Sequence, residues 1–244
     1  VPLKRERAFV LDVVPLREKD RIVTFLTRES GLKRAVARGA RRLQSAYAGA
    51  LEPMTEVDVL FFEKEGRDLH RLDSLELVRS SFSLSSQLAP ALLLSAMAES
   101  LRTFVADSDP SEKFFRLSRH CLDALFTGAD PRTVSVYFDL WTLRLSGVLP
   151  SASVCAICGG TFAGERVFLN SALPGFVHAR CAKGGAVRLS PEFGTVLRTL
   201  LAGKIPASAI PPRMLLELSG VTARLRRHFL GHELKSQRVL TGIW

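Results

Sequence analysis

Two periodicities divide the chain. Up to about residue 80 the apolar positions come in short runs separated by turn residues, the pattern of half-buried strands. Residues 9–14 are rich in β-branched and aromatic side chains, and residues 21–27 follow a charged turn at 17–20. Glu29-Ser30-Gly31 forms a second turn, in which Gly31 is free to take a positive φ. Further strands are predicted at 32–38, at 54–62 and, after a turn at Glu65-Gly66, at 68–78. In the third of these, strict alternation would put Leu32, Arg34, Val36 and Arg38 on one face.

Beyond residue 80 the spacing becomes helical. Residues 84–105 carry apolar side chains at helical intervals, interrupted near their start by Pro90. Asp109-Pro110-Ser111 and Asp130-Pro131 read as helix starts. Phe114, Leu117, Cys121 and Leu125 make one stripe, and Val134, Phe138, Trp141 and Leu145 another. A Cys- and Gly-rich segment fills 151–188, and helices resume at 191–202 and 212–229. Five short strands in about 75 residues predict a small barrel, and the long link at 39–53 supplies the non-hairpin connection that an OB-type barrel needs. The expected fold is therefore an α+β multidomain protein. It has an OB-type five-stranded β-barrel at 1–80, an α-helical domain at 81–150 and 189–244, and a zinc-finger insertion at 151–188.

Composition narrows the partner. The 244 residues are 47% hydrophobic, enough for a sizeable core, and 34 Lys and Arg against 24 Asp and Glu leave a formal charge of +10. A surplus of that size favours a polyanion, nucleic acid first among them. Four cysteines in a chain of this length do not make a disulfide scaffold, so a reducing compartment is expected. The apolar stretch at 88–98 is too short to span a bilayer, and no signal peptide is read at the amino-terminal end.

The cysteines carry the most specific chemistry. Cys155-x2-Cys158 followed by Gly159-Gly160 is a thiolate knuckle, and His178-x2-Cys181 repeats its spacing. Cys155, Cys158, His178 and Cys181 are the candidate ligands of one tetrahedral Zn²⁺ with no open position, hence a structural ion. His178 is the one imidazole among three thiols, and Cys121 belongs to an apolar helical stripe. The alternative of a redox Cys-x-x-Cys lacks the strand–helix context that motif requires. A deaminase would need a glutamate where Arg180 stands in His178-Ala179-Arg180. Phosphate-loop, nucleophile-elbow and His-Glu-x-x-His motifs are absent from the sequence, so a non-enzymatic protein is expected.

The charge is unevenly spread. Arg28, Lys33, Arg34, Arg38, Arg41 and Arg42 face only Glu29 within residues 28–42, six cations less one anion. On the third strand and the loop after it, these side chains are the candidate nucleic-acid-binding residues, gripping phosphates by charge and bidentate guanidinium contacts. The plain alternative is a solvated basic face with no ligand. Phe25 and Tyr47 are the nearby aromatics available for base stacking, although they do not interleave with the arginines. A second run, Arg224, Arg226, Arg227, Lys235 and Arg238, either extends the track or is a solvated helix face.

Several of these stretches together resemble the RecO family. They are residues 8–11, Glu18 to Thr27, Gly31-Leu32-Lys33-Arg34, Ala37-Arg38-Gly39-Ala40-Arg41-Arg42 and Leu51-Glu52-Pro53, which are similar to its amino-terminal OB domain. The Cys155/Cys158 knuckle with Gly159, and Pro174-Gly175 before Cys181, resemble its zinc finger; residues 225–240, with Leu234-Lys235-Ser236, resemble its last helix and tail. One departure stands out: His178 occupies a place where the pattern often has a third cysteine. The resemblance implies a cytoplasmic, nucleoid-associated DNA repair and recombination mediator that binds single- and double-stranded DNA. It implies annealing of complementary strands and, with RecR, recombinase loading onto gaps coated by single-strand DNA-binding protein (SSB), without ATP. The competing expectation is an RNA-binding or ribosome-associated OB/zinc protein, and a more distant one is a hydrolytic zinc enzyme.

Overall fold

A computed structural model describes residues 2–16, 18–41, 47, 49–63, 66–106, 111–162, 166–170, 175–206 and 209–244. They form two compact units, Val1–Phe126 with Leu234–Trp244, and Thr127–Glu233.

The first unit is built on a closed barrel of β1 (Leu3–Leu16), β2 (Asp20–Thr27), β3 (Leu32–Ala37), β4 (Glu56–Phe62) and β5 (Leu69–Arg79), in the order β1-β2-β3-β5-β4. This is the OB-type barrel. β1 is long enough to pair with two neighbours, meeting β4 through Leu3–Phe9 and β2 through Ala8–Leu16. A register shift between Val10 and Asp12 bends it from one partner to the other. A parallel pairing of β3 with β5 (Arg34 opposite Leu69, Val36 opposite Arg71) closes the ring. Alternation puts Ala8, Val10, Val23, Phe25, Ala35, Ala37, Val57, Val59, Phe61 and Leu72 inside. The connection from β3 to β4 returns across β1, where Met54 N donates to Val10 O at 2.7 Å and Val10 N donates to Thr55 O at 3.0 Å.

The charged start of β1 differs from the expected onset at residue 9. Its charges are absorbed by cross-strand pairs: Arg7 Nε donates to Asp58 Oδ1 at 2.6 Å, and Arg5 Nη2 to Glu76 Oε2 at 2.8 Å. In the third strand, Arg34 and Val36 share the outward face, whereas Leu32, expected on the same face, is buried, as is Lys33.

The same unit includes α1 (Phe82–Ser85), α2 (Leu88–Phe104), α3 (Glu112–Phe126) and a short carboxy-terminal helix (Lys235–Thr241). Pro90 sits in the first turn of α2, where its missing N–H costs no intrahelical bond, so the helix runs on. The Glu99 carboxylate on α2 accepts from Lys235 N (3.1 Å) and Ser236 N (2.7 Å), satisfying the open N–H groups at the start of the carboxy-terminal helix. The phenyl rings of Phe9 and Phe115 lie 4.6 Å apart, and Glu56, buried at the end of β4, pairs with Arg7, Arg79 and Arg119.

The second unit contains α4 (Pro131–Leu145), a small sheet of β6 (Val167–Leu169), β7 (Phe176–His178) and β8 (Val187–Arg188) in the order β7-β6-β8, then α5 (Phe193–Leu201) and α6 (Pro212–Leu230). The carboxy-terminal helix of the first unit is thus α7. Asp130 caps α4, accepting from Thr133 N at 3.0 Å, with Pro131 in the first helical turn, as the sequence signal predicts. α4 packs on α6, and across that contact Arg226 Nη1 lies 2.9 Å from Asp139 Oδ2, both side chains buried. The helical segments read as one domain from the sequence are therefore divided: α1–α3 and α7 group with the barrel, α4–α6 with the Cys/His segment.

Candidate nucleic-acid interface and metal centre

The register of β3 separates the described basic residues of this stretch, Lys33 from Arg34 above all. Arg28, just past β2, is exposed and ion-paired with Glu112 on α3 at 3.1 Å. Lys33 falls on the inner side of β3, and its Nζ lies 2.8 Å from Glu63 Oε1. Lys4 also pairs with Glu63, and hydrogen bonds from the two ammonium groups, Lys33 first, hold the Glu63 carboxyl down at about 2. Arg34 and Arg38 project outward, exposed, and among the described residues neither has an acidic partner. Arg41 is exposed as well, while Arg42 lies outside the described residues.

The turn after β3 is held against the β1–β2 turn. Gly39, with φ +70°, donates its N–H to Asp20 Oδ1 at 2.9 Å, and Arg41 N donates to Lys19 O at 3.1 Å. These bonds bring Lys19 and Arg21 to the same end of the barrel as Arg38 and Arg41. Sequence reasoning passed over Lys19 and Arg21, because their charges are offset locally by Glu18 and Asp20. The aromatic candidates are not placed for stacking. Phe25 is in the barrel core, and Tyr47 is partly buried against it.

The second basic run is also split. Arg226 is buried against Asp139, Arg227 pairs with Glu233 at 3.0 Å, and only Arg224 of the three on α6 is exposed without an ion pair among the described residues. Lys235 and Arg238 belong to the other unit.

The Cys/His residues, by contrast, converge. One ligand atom from each of Cys155, Cys158, His178 and Cys181 lies within 4.8 Å of all the others. The first knuckle is a tight turn in which Gly159 N donates to Cys155 O at 2.9 Å and Cys155 N donates to Gly160 O at 2.8 Å. Gly159 adopts φ +69°, and a Cβ at Gly160 would come within 3.4 Å of His178 Cε1. β7 ends on His178, and a 3₁₀ turn, Ala179–Cys181, carries Cys181 back to the knuckle. Cys121 is buried in α3 and takes no part.

The local electrostatics suit a cation. Burial pushes the Cys155 thiol up, but backbone N–H groups of Cys158, His178 and Ile157 outweigh it and bring it to about 6. The N–H of Gly160, then the His178 ring, lower the Cys158 thiol. The His178 Nε2 lies 3.1 Å from Thr161 O, so Nε2 carries the proton and Nδ1, 3.4 Å from Cys158 Sγ, is the nitrogen left to ligate. Burial, then the neighbouring Cys158 and Cys155, push the Cys181 thiol up, so a bound cation has to draw off its proton. Three cysteine sulfurs and one oriented imidazole make a donor set that fits a tetrahedral metal ion and fills every position of it.

Comparison with known proteins agrees across the chain. Residues 2–81 match the family model described as Recombination protein O N terminal, and residues 86–238 match Recombination protein O C terminal. The boundary between them falls just after β5. A protein of Koribacter versatilis (strain Ellin345) named DNA repair protein RecO is 36% identical over 190 residues, covering 78% of this chain and 77% of its own. One of the same name from Anaeromyxobacter sp. (strain K) is 35% identical over 240 residues, covering 96% and 94%. Another, from Myxococcus xanthus (strain DK1622), is 31% identical over 231 residues, covering 94% and 93%.

Proposed function

This chain belongs to the recombination protein O family, and from that premise we propose that it is a DNA repair and recombination mediator acting by binding DNA rather than by catalysis. It binds single- and double-stranded DNA through the outer face of β3 and the turn after it. It anneals complementary strands and, together with RecR, assists recombinase loading onto SSB-coated gaps. The observation that carries this reading is the pair Arg34 and Arg38, exposed on the barrel and without acidic partners among the described residues. Arg41 and Lys19, joined through their backbones just beyond the end of β3, extend the cationic face past Arg38. Lys33 supports the strand from within.

The physical basis of annealing is charge neutralisation. Two complementary strands repel through their phosphates, and a cationic face that engages both backbones displaces condensed counterions and lowers that repulsion. Neither nucleotide hydrolysis nor an open metal position is required. Zinc at Cys155, Cys158, His178 and Cys181 supplies a closed structural staple for the second unit. Among the described residues no helix is long and apolar enough to cross a membrane.

The test is strand annealing, with and without an SSB coat and with no nucleotide added, by the unaltered protein and by Arg34→Glu/Arg38→Glu. Loss of annealing, with a shallower dependence of DNA affinity on salt, supports the assignment. Unchanged annealing and unchanged salt dependence overturn it. Competition between matched DNA and RNA strands separates this reading from that of an RNA-binding protein.

A further inference from the structure

The strand registers place a row of apolar side chains around the outside of the barrel. Val14 is opposite Ile22, Ile22 opposite Val36, Val36 opposite Arg71, Arg71 opposite Phe62, and Phe62 opposite Leu3. All six point outward, because the residues beside them, among them Val23, Ala35, Phe61 and Leu72, fill the core. At the middle of the row the Arg71 guanidinium carbon lies 4.8 Å from the centroid of the Phe62 ring. That ring holds the guanidinium by a cation–π contact while the Arg71 side chain stays 57% exposed. Its acidic neighbour Asp73 is 3.8 Å away and itself exposed, a pairing too weak to occupy it.

Position makes this row more than scattered surface hydrophobics. Val36 is one pleat repeat from Arg34 on the outer face of β3, and exposed Arg38 opens the turn directly after the strand. Exposed Leu69 lies opposite Arg34. A cationic track for phosphates thus runs beside an apolar strip containing a restrained, planar cation. A duplex hides the faces of its bases in its own stack, so it can use the track alone. A single strand offers those faces, and they stack on aromatic rings and guanidinium planes.

We infer that Arg71, braced by Phe62 and flanked by Val36, is a base-stacking platform by which this barrel selects single-stranded over double-stranded DNA. The inference rests on the proposed DNA-binding role of the Arg34/Arg38 face and adds to it the contact that distinguishes the two forms.

The experiment measures binding of the full chain to oligothymidylate and to a blunt duplex with the same number of phosphates, over a series of salt concentrations. Arg71→Lys keeps the charge and removes the plane; Phe62→Leu keeps an apolar side chain and removes the ring. A thermal melt of each variant checks that the fold is retained. The expected result for both is a roughly tenfold loss of single-strand affinity, with the salt slope and the duplex affinity unchanged. A 2-aminopurine within the strand should be quenched on binding to the unaltered protein and much less with Arg71→Lys. Equal losses for both DNA forms, or no loss for either variant, overturn the platform. Failure of the underlying reading looks different: the unaltered protein then binds neither form, or Arg34→Glu/Arg38→Glu binds both as well as it does.

Discussion

Lys33 and Arg34 are adjacent in the chain and lie on opposite sides of the same strand: Lys33 reaches Glu63 at 2.8 Å on the inner side, while Arg34 stands exposed on the outer. The strand pleat thereby sorts one basic sequence cluster into two jobs. The inward charge neutralises a carboxylate at the edge of the barrel core. The outward ones remain available to a polyanion.

Substituting the two residues should therefore have separable consequences. Lys33→Ala leaves Glu63 with Lys4 alone and should cost about 1–3 kcal/mol of stability. DNA affinity, measured at a temperature where the variant is folded, should stay within about twofold of the unaltered protein, since no phosphate contact is removed. Arg34→Ala should do the reverse, with a melt close to the unaltered one and weaker DNA binding with a salt slope reduced by about one. Urea denaturation and DNA titration on both variants check the pair of outcomes.

Glu63 also makes a pH prediction. Its carboxyl is lowered in the folded state to about 2 from an ordinary 4.5 by the Lys33 and Lys4 ammonium groups. A depressed folded-state value means that its contribution is fully present above the unfolded value and is lost as the pH falls through the window from about 5 to about 2. Urea midpoints measured down that window should fall more steeply for the unaltered protein than for Glu63→Gln, whose side chain does not titrate. Parallel profiles would show that the Lys33–Glu63–Lys4 contacts are not formed in solution.

How much of this was legible in the sequence depends on how local each signal is. The four candidate metal ligands lie in two short motifs of matched spacing, so their convergence is announced by the chain itself. The barrel was legible as five strands, but the first was read too short. Arg5 and Arg7 look like solvent-facing charges until strand pairing brings Asp58 opposite Arg7 and Glu76, one strand further on, within reach of Arg5. The basic cluster was half legible: composition locates it, but only the register places Lys33 inside. The Arg71–Phe62–Val36 juxtaposition could not be read, because it depends on a parallel β3–β5 pairing and on a register shift between Leu60 and Phe61. The grouping of α7 with the barrel was equally hidden, since Glu99 caps it across 136 residues of chain.

The knuckle geometry predicts one tightly held zinc per chain. Cys155→Ser, or extraction with a chelator at mildly acid pH, should remove it and unfold the segment around β6–β8, because the ligand set is what joins the two halves of a short, glycine-rich stretch. Cys121→Ser should keep the metal, and His178→Cys should keep it too, since thiolate is an equally good fourth ligand. Metal content by atomic emission, with far-ultraviolet circular dichroism on the same samples, checks all four. Retention of stoichiometric zinc by Cys155→Ser would remove Cys155 from the ligand set.

Arg226 tests whether positive charge on α6 serves binding or packing. Its guanidinium is 2.9 Å from Asp139 with both side chains more than nine-tenths buried, and Thr222 Oγ1 donates to the same carboxylate oxygen at 3.4 Å. Removing one partner strands the other without solvent, so Asp139→Asn and Arg226→Ala should each cost roughly 3–5 kcal/mol. The double replacement Asp139→Leu/Arg226→Met, which removes both charges and keeps the volume, should recover most of that loss. Exposed Arg224→Ala, two residues away, should change stability by less than about 0.5 kcal/mol. If Arg226→Ala instead melts like the unaltered protein and weakens DNA binding with a lower salt slope, the side chain faces phosphate in solution and the buried pair is not its resting state.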